Sequence, residues 1–480
     1  MWDLQKYKNN TCIIDDKGNT LSYEDVFEAG NELCAAIAKH NENKEERCLV
    51  FNMCDNVLGS FIGYVSFLNH GIVPAMLKHD LDDELLQNLY NEYHPAYIWT
   101  PKTIASKPLF SSLESIYEKF DYVLLKTPFE QAVKLYSELA LLLTTSGSTG
   151  SPKFVRQSYK NIRANTDSIV EYLHLDSKER PITDLPMNYT YGISILNTHV
   201  DVGATILLTD KTLMQREFWD FFKINGATSI AGVPYTYEML KRLRFMRMDL
   251  PSLKTMTQAG GKILPELHKE FSEYAASSDR EFVVMYGACE ATARMGWLPP
   301  KKAVEKQGSM GIAIPGGRFE LIDVDDKVIE KPGVVGELVY YGDNVTLGYA
   351  TSADDLSKGD EHNGRYVTGD MAKFDRDGYY YIVGRKKRFL KIYGNRVNLD
   401  DCERMLKQTF NVDCACAGVD DQMYIFGLNE DLMPDLKNYL VEKTGLNPIA
   451  FKTMKIDHIP HNESGKTLYK ELTKYYTKGN

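Results

Sequence analysis

The sequence predicts an α/β protein built as a large N-terminal domain of sheets faced by helices, with a β-barrel-like part near its end, followed by a small α+β domain. Three observations predict it. Helix and strand patterns alternate through the first half, as in sheets covered on their faces. From about Gly308 the texture changes to short strands cut by Gly and Pro turns. After Gly384 it changes again, to a strand pattern followed by a helical one. A chain of 480 residues also exceeds what one hydrophobic core usually serves. The expected boundary puts residues 1–385 in the first domain and 386–480 in the second.

The elements follow in chain order. "MWDLQKYKNNTCIIDD" is polar and lacks the apolar core of a signal peptide. "NVLGSFIGYVSFLNHGIVPAML" is the longest apolar stretch, but Asn69, His70 and Pro74 interrupt it, so it reads as a buried helix and then a strand, not a membrane span. "HDLDDELLQNLYNEY" sets Leu81, Leu85, Leu86 and Leu89 on one helical face, with Asp80 as expected N-cap and acids in the first turn, where the helix dipole favours them. "AYIWT" and "LALLL" read as strands. "GATILLTD" and "ATSIAGVP" are strands separated by the helical "LMQREFWDFFKIN". "GSMGIAIPGGRFELIDVDDKVIEKPGVVGELVYYGDNVTLGY" is the all-β stretch. "RKKRFLKIYGNRVNLDDCERML" opens the last domain, its Arg385–Arg388 run expected to be a solvated hinge.

Bulk chemistry narrows function. The net charge of −10 argues against a nucleic-acid partner, which calls for a basic face. The eight cysteines form no CxxC pair and most sit in apolar surroundings, the pattern of reduced thiols in a cytoplasmic protein without structural zinc.

The chemical signal lies in "LLLTTSGSTGSPKFVRQS", Leu141–Ser158. A buried strand ends in Thr145, Ser146, Gly147, Ser148, Thr149 and Gly150, and Lys153 follows. Glycines let backbone N–H groups face an anion without interference from Cβ atoms, hydroxyls add donors, and the lysine adds a charge. Together they suit a polyphosphate. The spacing is not G-x-x-x-x-G-K-[ST], so this is not a Walker loop.

"TSGSTGSPK" resembles the phosphate-loop signature of the adenylate-forming (ANL) superfamily, which includes acyl-CoA and aryl-CoA synthetases, adenylation domains of nonribosomal peptide synthetases, and firefly luciferase. Further signatures follow in the family's order and cover nearly the whole chain. "MYGACEATARMGW" is similar to the Y-G-x-T-E segment. The resemblance implies that Tyr286 stacks on adenine beside Gly287 and that Glu290 helps hold Mg²⁺ at the triphosphate. Cys289 stands where the family has threonine, and a thiol is a poor replacement for a hydroxyl donor. "YVTGD" matches Y-x-T-G-D and gives Asp370 the ribose hydroxyls, a diol that a two-oxygen acceptor suits. "VGRKKRFLKIYGNRVNLDDCE" implies a nucleotide contact for Arg385, the hinge position for Lys387, and for Gly394 a loop that faces the site in the thiol step. Lys391, Arg396 and Glu403 also fall on family positions. "IPHNESGKTLYKEL" makes Lys466 the expected catalytic lysine.

The family's acyl pocket falls on "LPMNYTYGISIL", with Tyr189, Tyr191 and Gly192, and on "QAGGKILPE", with Gly260, Gly261 and Lys262. Amino-acid-activating relatives carry an aspartate where this chain has Tyr189, and Leu185–Leu196 contains no acid, so an α-ammonium group lacks its counter-charge there. Lys262 is unusual at its position. It suits a second carboxylate or a polar acyl group, or else points to solvent. The resemblance implies ATP and Mg²⁺ as cofactors, a carboxylic acid activated as acyl-adenylate with loss of pyrophosphate, and transfer to the thiol of coenzyme A or of a carrier-protein phosphopantetheine. The alternatives are an amino-acid-activating enzyme serving a carrier protein and a noncatalytic nucleotide-binding relative.

Overall fold

The computed structural model describes all residues except 41–46, 130–133, 145–152, 394, 462–466 and 477–480, and the side chains at 395 and 396 are likewise outside it. The chain divides into two compact units. One comprises Met1–Phe319 and Tyr340–Tyr366, the other Glu320–Val339 and Val367–Asn480.

The first unit holds two large sheets. In the nine-stranded sheet, Glu281–Tyr286, Thr255–Gln258, Ser229–Gly232, Pro181–Thr183, Ile206–Leu208 and Thr11–Asp15 lie side by side in that order. Their neighbours pair in parallel, Ile230 opposite Met256 and Met256 opposite Phe282. In the eight-stranded sheet, Leu139–Thr144, Val73–Lys78, Leu49–Cys54 and Tyr97–Pro101 are parallel neighbours. Parallel strands need a covering layer on each face, and the sequence supplies it as apolar helices between strands. Leu58–Asn69 is buried from Leu58 to Leu68 because it packs inside the core shared by both sheets, which takes Ile13, Ile206 and Leu208 from one and Val50, Met76 and Leu141 from the other.

One expected cap is displaced. The helix Asp83–Tyr93 starts after Asp82, whose carboxylate accepts from the backbone of Glu84 and Leu85 at 3.1 and 3.0 Å. Asp80 instead pairs with Lys78 at 2.9 Å. A cap oxygen must reach the second or third helical N–H, and only Asp82 stands close enough.

The all-β stretch is dealt to three sheets. Ile312–Ala313 ends the nine-stranded sheet, Gly348–Ala350 ends the eight-stranded one, and Arg318–Ile322 and Gly336–Tyr341 join a four-stranded sheet with Arg365–Phe374 and Tyr380–Arg385. Short strands between glycine turns carry no commitment to a partner, and each extends the nearest edge.

The second unit continues with the hairpin Phe389–Ile392 and Asn395–Asn398, the helix Leu399–Phe410, and a three-stranded sheet of Cys414–Val419, Gln422–Gly427 and Phe451–Lys455. Its core gathers Leu390, Leu399, Leu406, Cys416, Ile425 and Leu436. Seven of the eight cysteines are buried and all are free thiols.

Candidate active site

In the first unit, the strand Leu139–Thr144 leads into the glycine-rich loop and Phe154–Ser158 leads out, antiparallel to it with Leu143 opposite Val155. Thr145, Ser146, Gly147, Ser148, Thr149 and Gly150 lie outside the described residues. Lys153 lies within them. Its Nζ stands 3.2 Å from the centre of the Tyr349 ring, a cation–π contact. The Tyr349 hydroxyl donates to Oε1 of Glu290 at 2.6 Å. Burial, and then the Glu290 charge, push the Tyr349 phenol well above its ordinary pKa, so it remains a donor. The strand Gly348–Ala350 brings Tyr349 there by pairing with Phe154–Ser158, Tyr349 opposite Val155. Arg156, fully buried, fixes that edge by donating to the carbonyls of Tyr349 and Leu347, each at 3.0 Å, and by pairing with Glu361.

Glu290 sits at a strained turn. Thr292 has φ +64° and ψ −57°, and the Ala293 N–H donates to the Ala291 carbonyl at 2.7 Å. That is the γ-turn hand in which a β-branched residue is strained. The surroundings over-determine it. The Thr292 carbonyl accepts from Thr190 Oγ1 and from Gln157 Nε2, and its hydroxyl donates to the Asn344 carbonyl at 2.7 Å. The Glu290 carbonyl accepts from the N–H and the hydroxyl of Thr346, both at 3.0 Å. Strain held by so many partners marks a place where side-chain direction matters. Gly287 belongs to the same construction, since a Cβ there would lie 1.7 Å from the Ala293 carbonyl oxygen. Tyr286 ends its strand partly exposed, its ring centre 6.3 Å from that of Phe319, and Cys289 is the one half-buried cysteine.

The expected acyl residues converge beside this turn. Tyr191 is buried, and its hydroxyl contacts the Thr257 carbonyl and hydroxyl at 2.9 and 2.8 Å. Tyr189 packs edge-on to Tyr191, and a Cβ on Gly260 (φ +84°) would meet the Tyr189 hydroxyl at 2.6 Å. Gly192 must be glycine, because a Cβ there would lie 2.4 Å from the Pro186 carbonyl oxygen. A Cβ on Gly261 would approach Pro234 at 3.1 Å. Lys262 is exposed.

In the second unit, Asp370 is buried and pairs with Arg385 Nε at 2.7 Å across adjacent strands. The basic run is not a uniformly solvated hinge. Lys386 pairs with Glu337 at 2.6 Å, while Arg388 is buried between Asp400 and Glu403 at 2.7 and 2.6 Å and lies over the Tyr469 ring at 3.6 Å. Arg385, Lys386 and Lys387 are exposed as expected of the run, and Arg388 alone is drawn inward by its carboxylates. Tyr469 closes the knot by donating to Glu403 at 2.8 Å. Gly394 and Lys466 lie outside the described residues.

Sequence reasoning missed four residues. Tyr349 and Thr292 carry no local signal, because their roles come from strand pairing and a turn. Asp184 stands one residue before the stretch read as acid-free. Its Oδ1 is sealed from solvent without a partner, and burial pushes its carboxyl up to about 7. Arg294, four residues after Glu290, is a buried cation in an apolar context, and that rarity was its available signal.

The family model described as AMP-binding enzyme matches residues 2–350. An oxalate–CoA ligase of Arabidopsis thaliana is 26% identical over 68% of this chain and 65% of its own. A 2-succinylbenzoate–CoA ligase of Oceanobacillus iheyensis is 24% identical over 96% of this chain and 89% of its own. An O-succinylbenzoate coenzyme A synthetase from Bacillus subtilis, solved with AMP, superposes with a TM-score of 0.78 at 20% identity, over 98% of this chain and 97% of that one, a likeness of fold. The chain spans slightly under two thirds of the length of that Arabidopsis ligase. With most of its length matched by the family model, the chain belongs to the AMP-binding enzymes, the adenylate-forming superfamily.

Proposed function

We propose that the protein is an AMP-forming acid–thiol ligase. It activates a carboxylic acid with ATP as the acyl-adenylate, releases pyrophosphate, and passes the acyl group to a thiol of coenzyme A or of a carrier-protein phosphopantetheine. The observation that carries this reading is the line Lys153–Tyr349–Glu290, which sets a cation and a carboxylate at the root of the glycine-rich loop.

The residues fit ATP with Mg²⁺. The described residues contain no cluster of three or more His, Cys, Asp or Glu able to hold a metal. A single carboxylate such as Glu290 suits Mg²⁺, which takes one or two protein oxygens and completes its shell with phosphate and water. Bound there, Mg²⁺ would neutralise charge on the departing pyrophosphate. Lys153 would add charge on the same side, and the loop N–H groups and hydroxyls would hold the β- and γ-phosphates. In this reading Tyr286, Gly287, Cys289 and Gly261 border the adenine, and Asp370 and Arg385 take the ribose and phosphate. Lys466 bridges substrate carboxylate and α-phosphate, where two anions must meet. The 386–480 domain turns about Lys387 to bring the Gly394 loop in for the thiol step. None of the described helices is long and apolar enough to cross a membrane, and the free thiols suit the cytoplasm.

The test is carboxylate-dependent exchange of labelled pyrophosphate into ATP over fatty, aryl, hydroxy, dicarboxylic and amino acids, with Lys466→Ala alongside. Exchange with one acid class, lost in Lys466→Ala, is the expected result. ATP binding without exchange for any acid would sink the reading. Amino-acid-dependent exchange would replace it with the amino-acid-activating alternative, for which Asp184 offers a carboxylate.

A further inference from the structure

Resting on that reading, we infer that the acid activated here carries a second carboxylate, held by Arg294 in a cavity of the first unit.

Arg294 is 3% exposed. Its Nη2 donates to Ser194 Oγ at 2.9 Å, Nη1 reaches the Tyr172 hydroxyl at 3.4 Å and the Met285 sulfur, and the guanidinium lies over the Tyr191 ring at 4.3 Å. Every one of these partners is neutral. The guanidinium pairs with no carboxylate among the described residues, and its Nε is buried without a hydrogen-bond partner. A buried cation so placed is costly, because desolvation is not repaid by an opposite charge. An anionic ligand would repay it.

The space for one adjoins it. Arg294, His199, Thr198, Thr257 and Glu179 supply the polar lining of a small, otherwise mostly apolar cavity of about 40 Å³, between the helix Thr190–Asp201 and the sheet strands Pro181–Thr183, Ser229–Gly232 and Thr255–Gln258. Glu179 is already engaged by Thr228 and by Lys254, the latter at 3.4 Å. His199 is 5% exposed, and its Nδ1 donates to the Ile195 carbonyl at 2.8 Å, which leaves Nε2 as a buried acceptor with no partner. A hydrocarbon tail in this cavity would strand the Arg294 Nε–H. An anionic acyl end would accept from it and supply the charge that the guanidinium lacks, while His199 Nε2, itself an acceptor, takes no bond from a carboxylate.

The cavity adjoins the expected acyl residues through Arg294 and Thr257, both of which touch Tyr191. Arg294 touches Tyr191, Tyr191 touches Tyr189, and Tyr189 stands against Gly260. Arg294 is also four residues from Glu290, across the strained Thr292 turn. One carboxylate of the substrate would attack the α-phosphate, its oxygen forming the new P–O bond as pyrophosphate leaves. The other would stay intact as an anion on Arg294, which binds and orients and takes no part in bond making.

Pyrophosphate exchange on the full chain with mono- and dicarboxylic acids of matched length decides it, using wild type, Arg294→Met and Arg294→Lys. The wild type should favour diacids over matched monoacids by about 100-fold in kcat/KM, as expected when a site built for a charged group is left unpaired. Arg294→Met should lose about 10- to 100-fold on diacids through KM, with kcat little changed, and should gain on monoacids. Arg294→Lys should retain part of the diacid preference. Equal use of monoacids and diacids by the wild type, or an amino-acid preference, would overturn the inference while leaving adenylation intact. Absence of exchange with every acid, diacids included, would overturn both. The wild-type ratio needs no variant, so a misfolded Arg294→Met leaves the test standing.

Discussion

Two arginines, one in each unit, are buried and stacked on a tyrosine, and they differ in what faces the guanidinium. Arg388 lies over Tyr469 and meets Glu403, Asp400 and the Cys416 carbonyl. Arg294 lies over Tyr191, meets a hydroxyl on each side and a sulfur, and lines a cavity. The first is a closed circuit, with Tyr469 returning a hydrogen bond to Glu403. The second is open on one side. Burial alone therefore does not say what an arginine is for. The charge opposite it does, and where no described residue supplies that charge, a ligand is the economical source.

The sharpest way to break this comparison is to remove both guanidinium groups and measure stability. Arg388→Met leaves Glu403 buried without its cation, so urea denaturation should show a loss of about 3–5 kcal/mol. Arg294→Met strands no carboxylate and fills the site with apolar volume, so it should cost less than about 1 kcal/mol or stabilise. If the two substitutions cost the same, Arg294 is as structural as Arg388, and the case for a ligand at the cavity fails with it.

Asp184 sharpens the comparison from the acidic side. Its Oδ1 too is buried and unpartnered, and burial raises its carboxyl from 3.8 to about 7. A folded-state pKa above the unfolded value means that the folded chain holds the extra proton. Stability from this group is full below pH 4 and drains away as pH rises towards 7. Asp184→Asn, which cannot ionise, should gain about 2 kcal/mol over wild type at pH 8 and nothing at pH 4. His199 and His268 run the other way. Burial depresses each to about 4, so their contribution is intact above pH 6.5 and falls as pH drops through 6.5 towards 4. A gain from Asp184→Asn that did not change with pH would mean that its carboxyl is already neutral or paired at pH 8.

Much of this was legible in the sequence, for reasons particular residues make plain. The helix Leu58–Asn69 and the strand Leu139–Thr144 announce themselves because burial on all sides leaves an unbroken apolar run. Glu290 and Asp370 were readable as members of spaced motifs. What escaped depends on residues distant in sequence. Tyr349 reaches Glu290 because its strand pairs with one nearly 200 positions earlier, with Arg156 donating to its carbonyl. Thr292 reads as an ordinary threonine until its φ is known. Asp80 and Asp82 offered the same chemistry for one cap, and geometry chose between them. Arg388 sat in a run whose composition suggests a solvated face, and only the fold revealed the acids waiting for it.

Glu290 stands between the two arginines in this scale of pairing, for its partner is a neutral phenol. The Tyr349 hydroxyl donates to Oε1 at 2.6 Å while the same ring carries the Lys153 ammonium on its face. One side chain thus positions both charges without neutralising either, which is what the proposed nucleotide site requires of them. Tyr349→Phe removes the hydrogen bond but keeps the ring. It should raise KM for Mg-ATP about 5- to 10-fold, the worth of one charge-assisted bond, while the fold stays intact. Tyr349→Ala removes both contacts and should raise KM further. If Tyr349→Phe leaves KM for Mg-ATP unchanged while Tyr349→Ala raises it, the ring's hold on Lys153 is the working contact, and Glu290 is aimed by the Thr292 turn alone.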